Sequence, residues 1–207
     1  MISDPPPSIP RKTVYRLSIY QRCLQRLLDN RVETVSSQAL AKAAGVKSTQ
    51  LRKDLAYFGQ FGTRGLGYDV PGLLATIREV LGRTRLQPVV LVGVGNLGAA
   101  LLRYQGFNKE GFEIVAAFDI DPGKAAPPGI PVLPRHDLGA FIAANGVKMA
   151  ILAVPASVAQ EVVNQMVAAG IQAILNFSPT ILEVPDEVMV NNVDLAVELE
   201  NLSYFVR

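Results

Sequence analysis

The segment Val89-Val90-Leu91-Val92-Gly93-Val94-Gly95-Asn96-Leu97-Gly98 constrains the fold more than any other stretch of the chain. A short β-branched run leads straight into Gly-x-Gly-x-x-Gly, and the helix formers Ala99-Ala100-Leu101-Leu102 follow at once. In such a strand–turn–helix, Gly93 turns the chain, Gly95 lets backbone approach a pyrophosphate and Gly98 lets helix pack close to strand. The opening of the helix adds unpaired N–H groups and the positive end of its dipole. A lone glycine fingerprint is weak. Here a second apolar strand follows and ends in Asp119, 21 residues after Gly98. That carboxylate is placed to accept hydrogen bonds from an adenosine ribose. Asp121 can share the role, and Asp119 can also be a plain turn cap. A 2′-phosphate would meet repulsion there, so NAD(H) is expected over NADP(H).

The surroundings agree. Apolar, β-branched runs at 89–92, 114–118, 147–154 and 171–175 alternate with helical segments near 96–105, 137–145 and 157–169. Strands alternating with helices predict a parallel sheet with crossover helices, and continuous apolar strands predict cover on both faces. Ligands of such sheets sit outside the carboxyl ends of strands. The turns Ala153-Val154-Pro155 and Asn176-Phe177-Ser178-Pro179 therefore make Val154, Pro155 and Asn176 candidate cofactor walls, with plain loops as the alternative. Residues 194–205 read as a last amphipathic helix, striped by Leu195, Leu199, Leu202 and Val206.

The first half speaks a different language. Up to residue 85 the chain carries 14 Lys and Arg against 6 Asp and Glu, a balance of +8. The remainder carries 6 against 12, a balance of −6, so the overall +2 hides a strong asymmetry. A basic half beside an acidic one points to a polyanion partner for the former, unless its charges are only solvated helix faces. Periodicity gives a helix over 13–30, a short one from Ser36 or Ser37 to Ala44, and a third capped by Ser48 and running to about Phe58. The second and third, joined through Gly45-Val46, have helix-turn-helix spacing. Leu51, Leu55 and Phe58 face a core, leaving Gln50, Arg52, Lys53 and Tyr57 toward the outside or its flanks, where a recognition helix meets base edges and phosphates. An ordinary charged helix face is the plain alternative. Beyond it, Gly62-Thr63-Arg64-Gly65-Leu66-Gly67-Tyr68 is too glycine-rich for a helix. A β-wing carrying Arg64 beside Gly65 suits a narrow minor groove, while a connecting loop is the bland reading. Asp69 then caps a helix with Pro71 in its first turn, ended by Gly82.

These readings divide the chain into a proline-rich, poorly ordered tail (1–10), a winged helix-turn-helix DNA-binding domain (11–85), an α/β Rossmann-type NAD(H)-binding domain (86–190) and a terminal helix (191–207). A hydrophobic fraction of 49% suffices for a sizeable core. With one cysteine, Cys23, and one histidine, His136, no disulfide, zinc or other metal site is expected. No apolar run is long enough for a membrane span and no secretory signal is read, so a cytoplasmic protein is expected. Catalysis is not expected either. His136 sits in a Pro134-Arg135-His136-Asp137 turn, Lys148 has no acidic partner near it in sequence, and no length remains for a substrate domain.

Gln50-Leu51-Arg52-Lys53-Asp54-Leu55-Ala56-Tyr57-Phe58-Gly59, Gly62-Thr63-Arg64-Gly65-Leu66-Gly67-Tyr68 and Gly93-Val94-Gly95-Asn96-Leu97-Gly98 together closely resemble the bacterial redox-sensing repressors of the Rex family. The resemblance runs from about Pro10 to the C-terminus. It implies a homodimer that exchanges its C-terminal helix, binds inverted-repeat operator DNA when NADH is low, with NAD⁺ favouring or permitting that binding, and releases DNA when NADH binds. It also implies a switch of Tyr104, Asp194 and Arg22. Read from the residues alone, Tyr104 is equally a packing residue, Asp194 a helix cap and Arg22 a solvated or phosphate-facing side chain. Two other functions stay open: a DNA-binding regulator responding to a coenzyme A-type nucleotide, and an NAD-dependent oxidoreductase.

Overall fold

The computed structural model describes residues 9–62, 66–82 and 86–206. Arg64 and Gly65, expected to touch DNA, lie outside the described residues, as do residues 1–8 of the tail. The chain divides into two compact units, residues 1–85 and 86–207.

In the first unit, α1 (Arg11–Asp29) begins two residues earlier than its apolar period and buries Leu17, Tyr20, Cys23 and Leu24 along one face. A short strand β1 (Thr34–Val35) precedes α2 (Ser37–Ala43), whose cap Ser36 accepts the Ala39 N–H at 3.0 Å. The next helix, α3 (Ser48–Ala56), corrects the expectation that Ser48 caps it. Lys47 takes the extended N-cap backbone (φ −76°, ψ 143°), no side chain caps the helix, and Ser48 is already helical. Strand β2 (Tyr68–Asp69) pairs antiparallel with β1, Val35 opposite Tyr68. Gly67 enters that ribbon at φ +86°, against the Val35 carbonyl, where a Cβ would have no room. Asp69 then caps α4 (Val70–Val80) by accepting from Gly72 N–H at 2.7 Å, as expected. Leu17, Leu24, Leu40, Leu51 and Leu74 are almost wholly buried in the shared core of these helices. Each contributes about 1.5–3 kcal/mol of apolar burial, which holds α3 against α1 and α4.

The second unit is a six-stranded, wholly parallel sheet. Its strands are β3 (Gln87–Val92), β4 (Phe112–Asp119), β5 (Val132–Pro134), β6 (Met149–Leu152), β7 (Ala173–Asn176) and β8 (Met189–Asn192). The order β5-β4-β3-β6-β7-β8 reverses direction of winding between β3 and β6, the doubly wound arrangement. Residues alternate between two buried layers. Val90, Val92, Ala116, Phe118, Ala150 and Leu152 pack against α7 (Leu138–Asn145) and α8 (Ala156–Ala168). Val89, Leu91, Ile114, Ala117 and Ile151 face α5 (Asn96–Leu102) and α6 (Gly106–Lys109). That two-sided cover is why these strands read as unbroken apolar runs. The helix expected near 96–105 stops at Leu102, with α6 as a separate turn. The last helix, α9 (Leu195–Ser203), buries none of its residues.

Candidate functional site

The crevice at the winding reversal is built by two strand ends. Gly93 leaves β3 at φ +98°, and a Cβ there would run into the Ala153 carbonyl just beyond β6. The Gly93 N–H donates to Phe118 O and the Ala153 N–H to Val92 O, both at 2.8 Å, which welds the turn to its neighbours. At Gly98 a Cβ would strike the Gly93 carbonyl and press on Leu91, so α5 lies as close to β3 as backbone allows. Gly95 differs. It is the N-cap of α5, no side chain satisfies the helix, and nothing lies within 4 Å of where its Cβ would be. Asn96 and Leu97 follow it, exposed, in the first turn. The geometry is an open cradle edged by backbone N–H groups.

Asp119 closes the cradle from β4. Its Oδ2 accepts the N–H of buried Val94 at 2.7 Å, its Oδ1 accepts Asp121 N–H at 3.0 Å, and Lys124 Nζ lies 3.0 Å from both oxygens. Burial pushes the carboxyl pKa up. The Asp121 and Val94 N–H groups and the Lys124 ammonium outweigh burial and hold it below the ordinary carboxylate range. The group is therefore a fixed anion 7% exposed at the strand's carboxyl end. Asp121 turns away from it, its own Oδ1 accepting the Gly123 N–H.

Across the crevice, Val154 is half-buried and Pro155 is exposed at the N-cap of α8. Ser178 Oγ donates to Val154 O at 2.7 Å. The side chain of Asn176 is 1% exposed and consumed by protein partners: Nδ2 reaches Ser178 O, Thr180 O and Asn192 Oδ1, while Oδ1 accepts Ser178 N–H. What Asn176 offers a ligand is the shape of the 176–180 turn, not a free amide.

Tyr104 follows α5 with its ring 60% exposed and edge-on to Phe107, centroids 5.1 Å apart, over Gly106, which has no side chain to obstruct it. Asp194 caps α9, accepting from Ala196 N–H at 2.9 Å and Val197 N–H at 3.2 Å. Among the described residues no hydrogen bond joins Tyr104 to Asp194. Arg22 is exposed on α1, in the other unit.

On the basic unit, Leu51 and Leu55 are buried and Arg52, Lys53 and Tyr57 are exposed. Arg52 Nη1 donates to Ser37 Oγ at 3.1 Å, steadying α3 on α2, and the Tyr57 ring leans on Phe58. Gln50 is half-buried, its amide turned to Asp54 Oδ1 at 2.9 Å. Asp54 is the residue that sequence reasoning passed over. Its carboxylate is fully buried and also receives Thr13, Arg16 and Tyr20 from α1. The signal was its position: Asp54 falls on the core stripe of α3 between Leu51 and Leu55, where an acid needs partners.

Against known proteins, residues 84–180 match the model of a CoA binding domain and residues 8–56 that of a putative DNA-binding protein N-terminus. The redox-sensing transcriptional repressor Rex of Streptomyces avermitilis is 51% identical over 198 residues, which span 95% of this chain and 79% of that protein. The crystal structure of RSP in complex with beta-NAD+ and operator DNA matches with TM-score 0.90 and 37% identity, over 96% of this chain and 93% of the other. RSP in complex with beta-NADH matches with TM-score 0.84 and 36% identity, over 96% and 94%. Half-identity along nearly the whole chain, with both units aligned, settles the family: the chain belongs to the Rex family of redox-sensing transcriptional repressors.

Proposed function

We propose that this protein represses transcription by binding operator DNA when NADH is low and releases it when NADH binds. The observation that carries the reading is the pairing of two sites in one chain: an exposed basic face on α3, and an open glycine cradle closed by a fixed carboxylate at the winding reversal. Relatives at half-identity are named as redox-sensing repressors, and RSP is seen with both nucleotides and with operator DNA.

In this reading the segment Gly93, Val94, Gly95, Asn96, Leu97 and Gly98 takes the pyrophosphate: Gly93 and Val94, their N–H groups bonded to Phe118 O and Asp119 Oδ2, shape the turn, and the first turn of α5 supplies the N–H donors. Gly95 suits it because the space its Cβ would fill is open. Asp119, held ionised at the carboxyl end of β4, takes the adenosine ribose. Tyr104, Val154, Pro155 and the turn shaped by Asn176 wall the nicotinamide end. Gln50, Arg52, Lys53, Tyr57, Arg64 and Gly65 meet the DNA. Arg22, Tyr104 and Asp194 form the switch, with Asp194 exchanging partners between states. Residues 1–10, 11–85, 86–190 and 191–207 are the tail, DNA-binding, nucleotide-binding and dimerisation segments.

The exposed Leu195, Leu199, Leu202 and Val206 of the last segment suit a second copy of the chain, consistent with a homodimer on an inverted repeat. We read the protein as a cytoplasmic regulator and not an enzyme. Its single histidine, His136, is exposed beside Asp137 on a turn after the edge strand β5, two strands from the crevice. No helix of the described residues is long and apolar enough to cross a membrane.

The test is operator binding at equal concentrations of NADH and NAD⁺, with coenzyme A as a third arm because of the family model matching residues 84–180. Selective release by NADH is the expected result. Equal effects of NADH and NAD⁺ would remove the sensor reading, since a ligand shifts an equilibrium only by its differential affinity for two states. Release by coenzyme A alone would transfer the reading to that nucleotide.

A further inference from the structure

A hydrogen-bond chain, buried at Asn176 and Ser178, crosses the carboxyl end of the sheet from the crevice to the base of α9. It starts at Val154 O, which accepts the Ser178 hydroxyl at 2.7 Å. Ser178, itself 5% exposed, donates its N–H to Asn176 Oδ1 at 2.9 Å, and Asn176 Nδ2 returns to Ser178 O at 3.2 Å. Asn176 Nδ2 also donates to Asn192 Oδ1 at 2.9 Å, and Val193 N–H donates to Asn176 O at 2.8 Å. Asn176 and Asn192 are register partners of the parallel β7–β8 pair, so the contact spans two strands at the same level. Asn192 is followed after one residue by Asp194, the cap of α9.

The Asn176 amide has two N–H donors and three acceptors within reach, and its oxygen is occupied as well. A shift of the Val154 wall pulls on Ser178 and, through it, on the Asn176 side chain, which either carries Asn192 with it or gives up the Asn192 bond and keeps the Ser178 and Thr180 carbonyls. The Asn192 bond is therefore the link that can be made or released without orphaning a buried donor, while the rest of the network stays paired. At its far end α9 buries no residue, and its direction is set where it leaves β8. We infer that Asn176 and Asn192 are positioning residues that transmit the state of the crevice to α9, by way of the Asn176 Nδ2–Asn192 Oδ1 hydrogen bond. The inference rests on the NADH-dependent release proposed above and adds the route by which it leaves the nucleotide unit.

Asn192 is exposed, outside the crevice and outside the DNA face, so it can be cut without touching either ligand. The test measures NADH affinity, and operator affinity with and without saturating NADH, for the full-length wild type, Asn192→Ala and Asn192→Asp. Asn192→Ala deletes the acceptor, whereas Asn192→Asp keeps an oxygen at the same place. The expected result is NADH affinity within about twofold for both variants. The NADH-induced change in operator affinity should shrink by about fivefold or more in Asn192→Ala and stay at the wild-type value in Asn192→Asp. A wild-type change in Asn192→Ala, or an equal loss in both variants, overturns the inference. Absence of NADH-dependent release in the wild type would instead sink the proposed function, and it is read in a separate arm.

Discussion

Arg16 on α1 grips Asp54 on α3 through both carboxylate oxygens, Nε to Oδ2 at 2.6 Å and Nη2 to Oδ1 at 2.7 Å. Tyr20 OH adds a third bond at 2.8 Å, and Gln50 Nε2 a fourth at 2.9 Å from one turn earlier on α3. The helix that exposes Arg52 and Lys53 is thus pinned from behind to the helix that carries Arg22. Burial pushes the Asp54 pKa up, but the hydrogen bonds from Arg16, Tyr20 and Gln50 and the guanidinium charge outweigh it and hold the carboxyl below its ordinary range. Burial and the neighbouring Asp54 in turn push the Tyr20 phenol up.

Asp54→Asn should destabilise the first unit by roughly 3 kcal/mol, the lower end for breaking a buried pair, because part of the Arg16 side chain still reaches water. The pH dependence has a definite sign. A carboxyl whose folded pKa is depressed adds stability at pH above the unfolded value of about 4, and that stability is lost as pH falls toward the folded value. Wild-type melting temperature should therefore drop between about pH 5 and pH 3 more steeply than that of Asp54→Asn. Parallel curves would mean that the pair contributes nothing across that window.

The glycine cradle separates folding from binding. Gly95→Val should leave the melting temperature nearly unchanged, because the space is open in the free chain, and abolish NADH binding by filling the pyrophosphate position. Gly98→Val should lose both, since its side chain meets the Gly93 carbonyl, at a cost of about 1–3 kcal/mol or more. Calorimetric titration with thermal denaturation on each variant checks the split. A Gly95 variant that folds and binds NADH normally puts the nucleotide elsewhere.

Legibility followed the physics of each element. The cradle was readable because a tight turn, a close backbone approach and a close helix crossing each demand glycine, at fixed spacing. The four central strands were readable because two-sided burial leaves their middles, 88–92, 114–118, 149–152 and 173–175, without a polar position. Edge strands β5 and β8 were not: they are three and four residues long, one ends in Pro134, and β8 is mostly exposed, so neither carries a burial pattern. Asp54, and the internal bonding of the Asn176 side chain, escaped for a related reason. Each residue is polar yet buried, and the partners that make this tolerable come from elements distant in sequence, α1 for Asp54 and β8 for Asn176. Gln50 read as a DNA contact because a helical wheel places it at a boundary, and only the structure turns its amide toward Asp54.

Asp119→Ala should weaken NADH by roughly 1–3 kcal/mol, the usual loss for a charged hydrogen-bond partner. The variant also leaves Val94 N–H unsatisfied and Lys124 without its anion, so part of that loss comes from the loop. Adding Lys124→Met separates the contributions. If the ribose bond dominates, the double variant binds NADH no better than Asp119→Ala and NADPH is less strongly excluded in both. Full recovery of NADH affinity in the double variant would show instead that Asp119 acts only by neutralising Lys124.

On the DNA face, Lys53→Ala and Arg64→Ala should each weaken operator binding. If the lost group neutralises a phosphate, each should also flatten the salt dependence by about one counterion per protomer. Lys53 is exposed and makes no ion pair among the described residues, so its substitution should cost almost no stability. Fluorescence anisotropy over a salt series reads both quantities. Unchanged affinity together with an unchanged slope would remove that residue from the interface.

Asp194 must be tested as two things at once, because its Oδ1 already accepts both Ala196 N–H and Val197 N–H. Replacing it by Ala deletes a helix cap, which costs about 1 kcal/mol whether or not the residue switches anything. Asp194→Ser is the sharper variant: a serine hydroxyl still caps the helix but carries no charge and cannot form an ion pair with Arg22. If Asp194 is the switch, the serine variant keeps its melting temperature and binds NADH within about tenfold of wild type, roughly 1.4 kcal/mol. It nevertheless loses most of the NADH-induced change in operator affinity. If Asp194 is only a cap, the serine variant behaves as wild type in all three measurements while the alanine variant loses stability alone. Coupling obtained from four affinities, each ligand with and without the other, decides between them, since a true coupling free energy must come out equal from both sides.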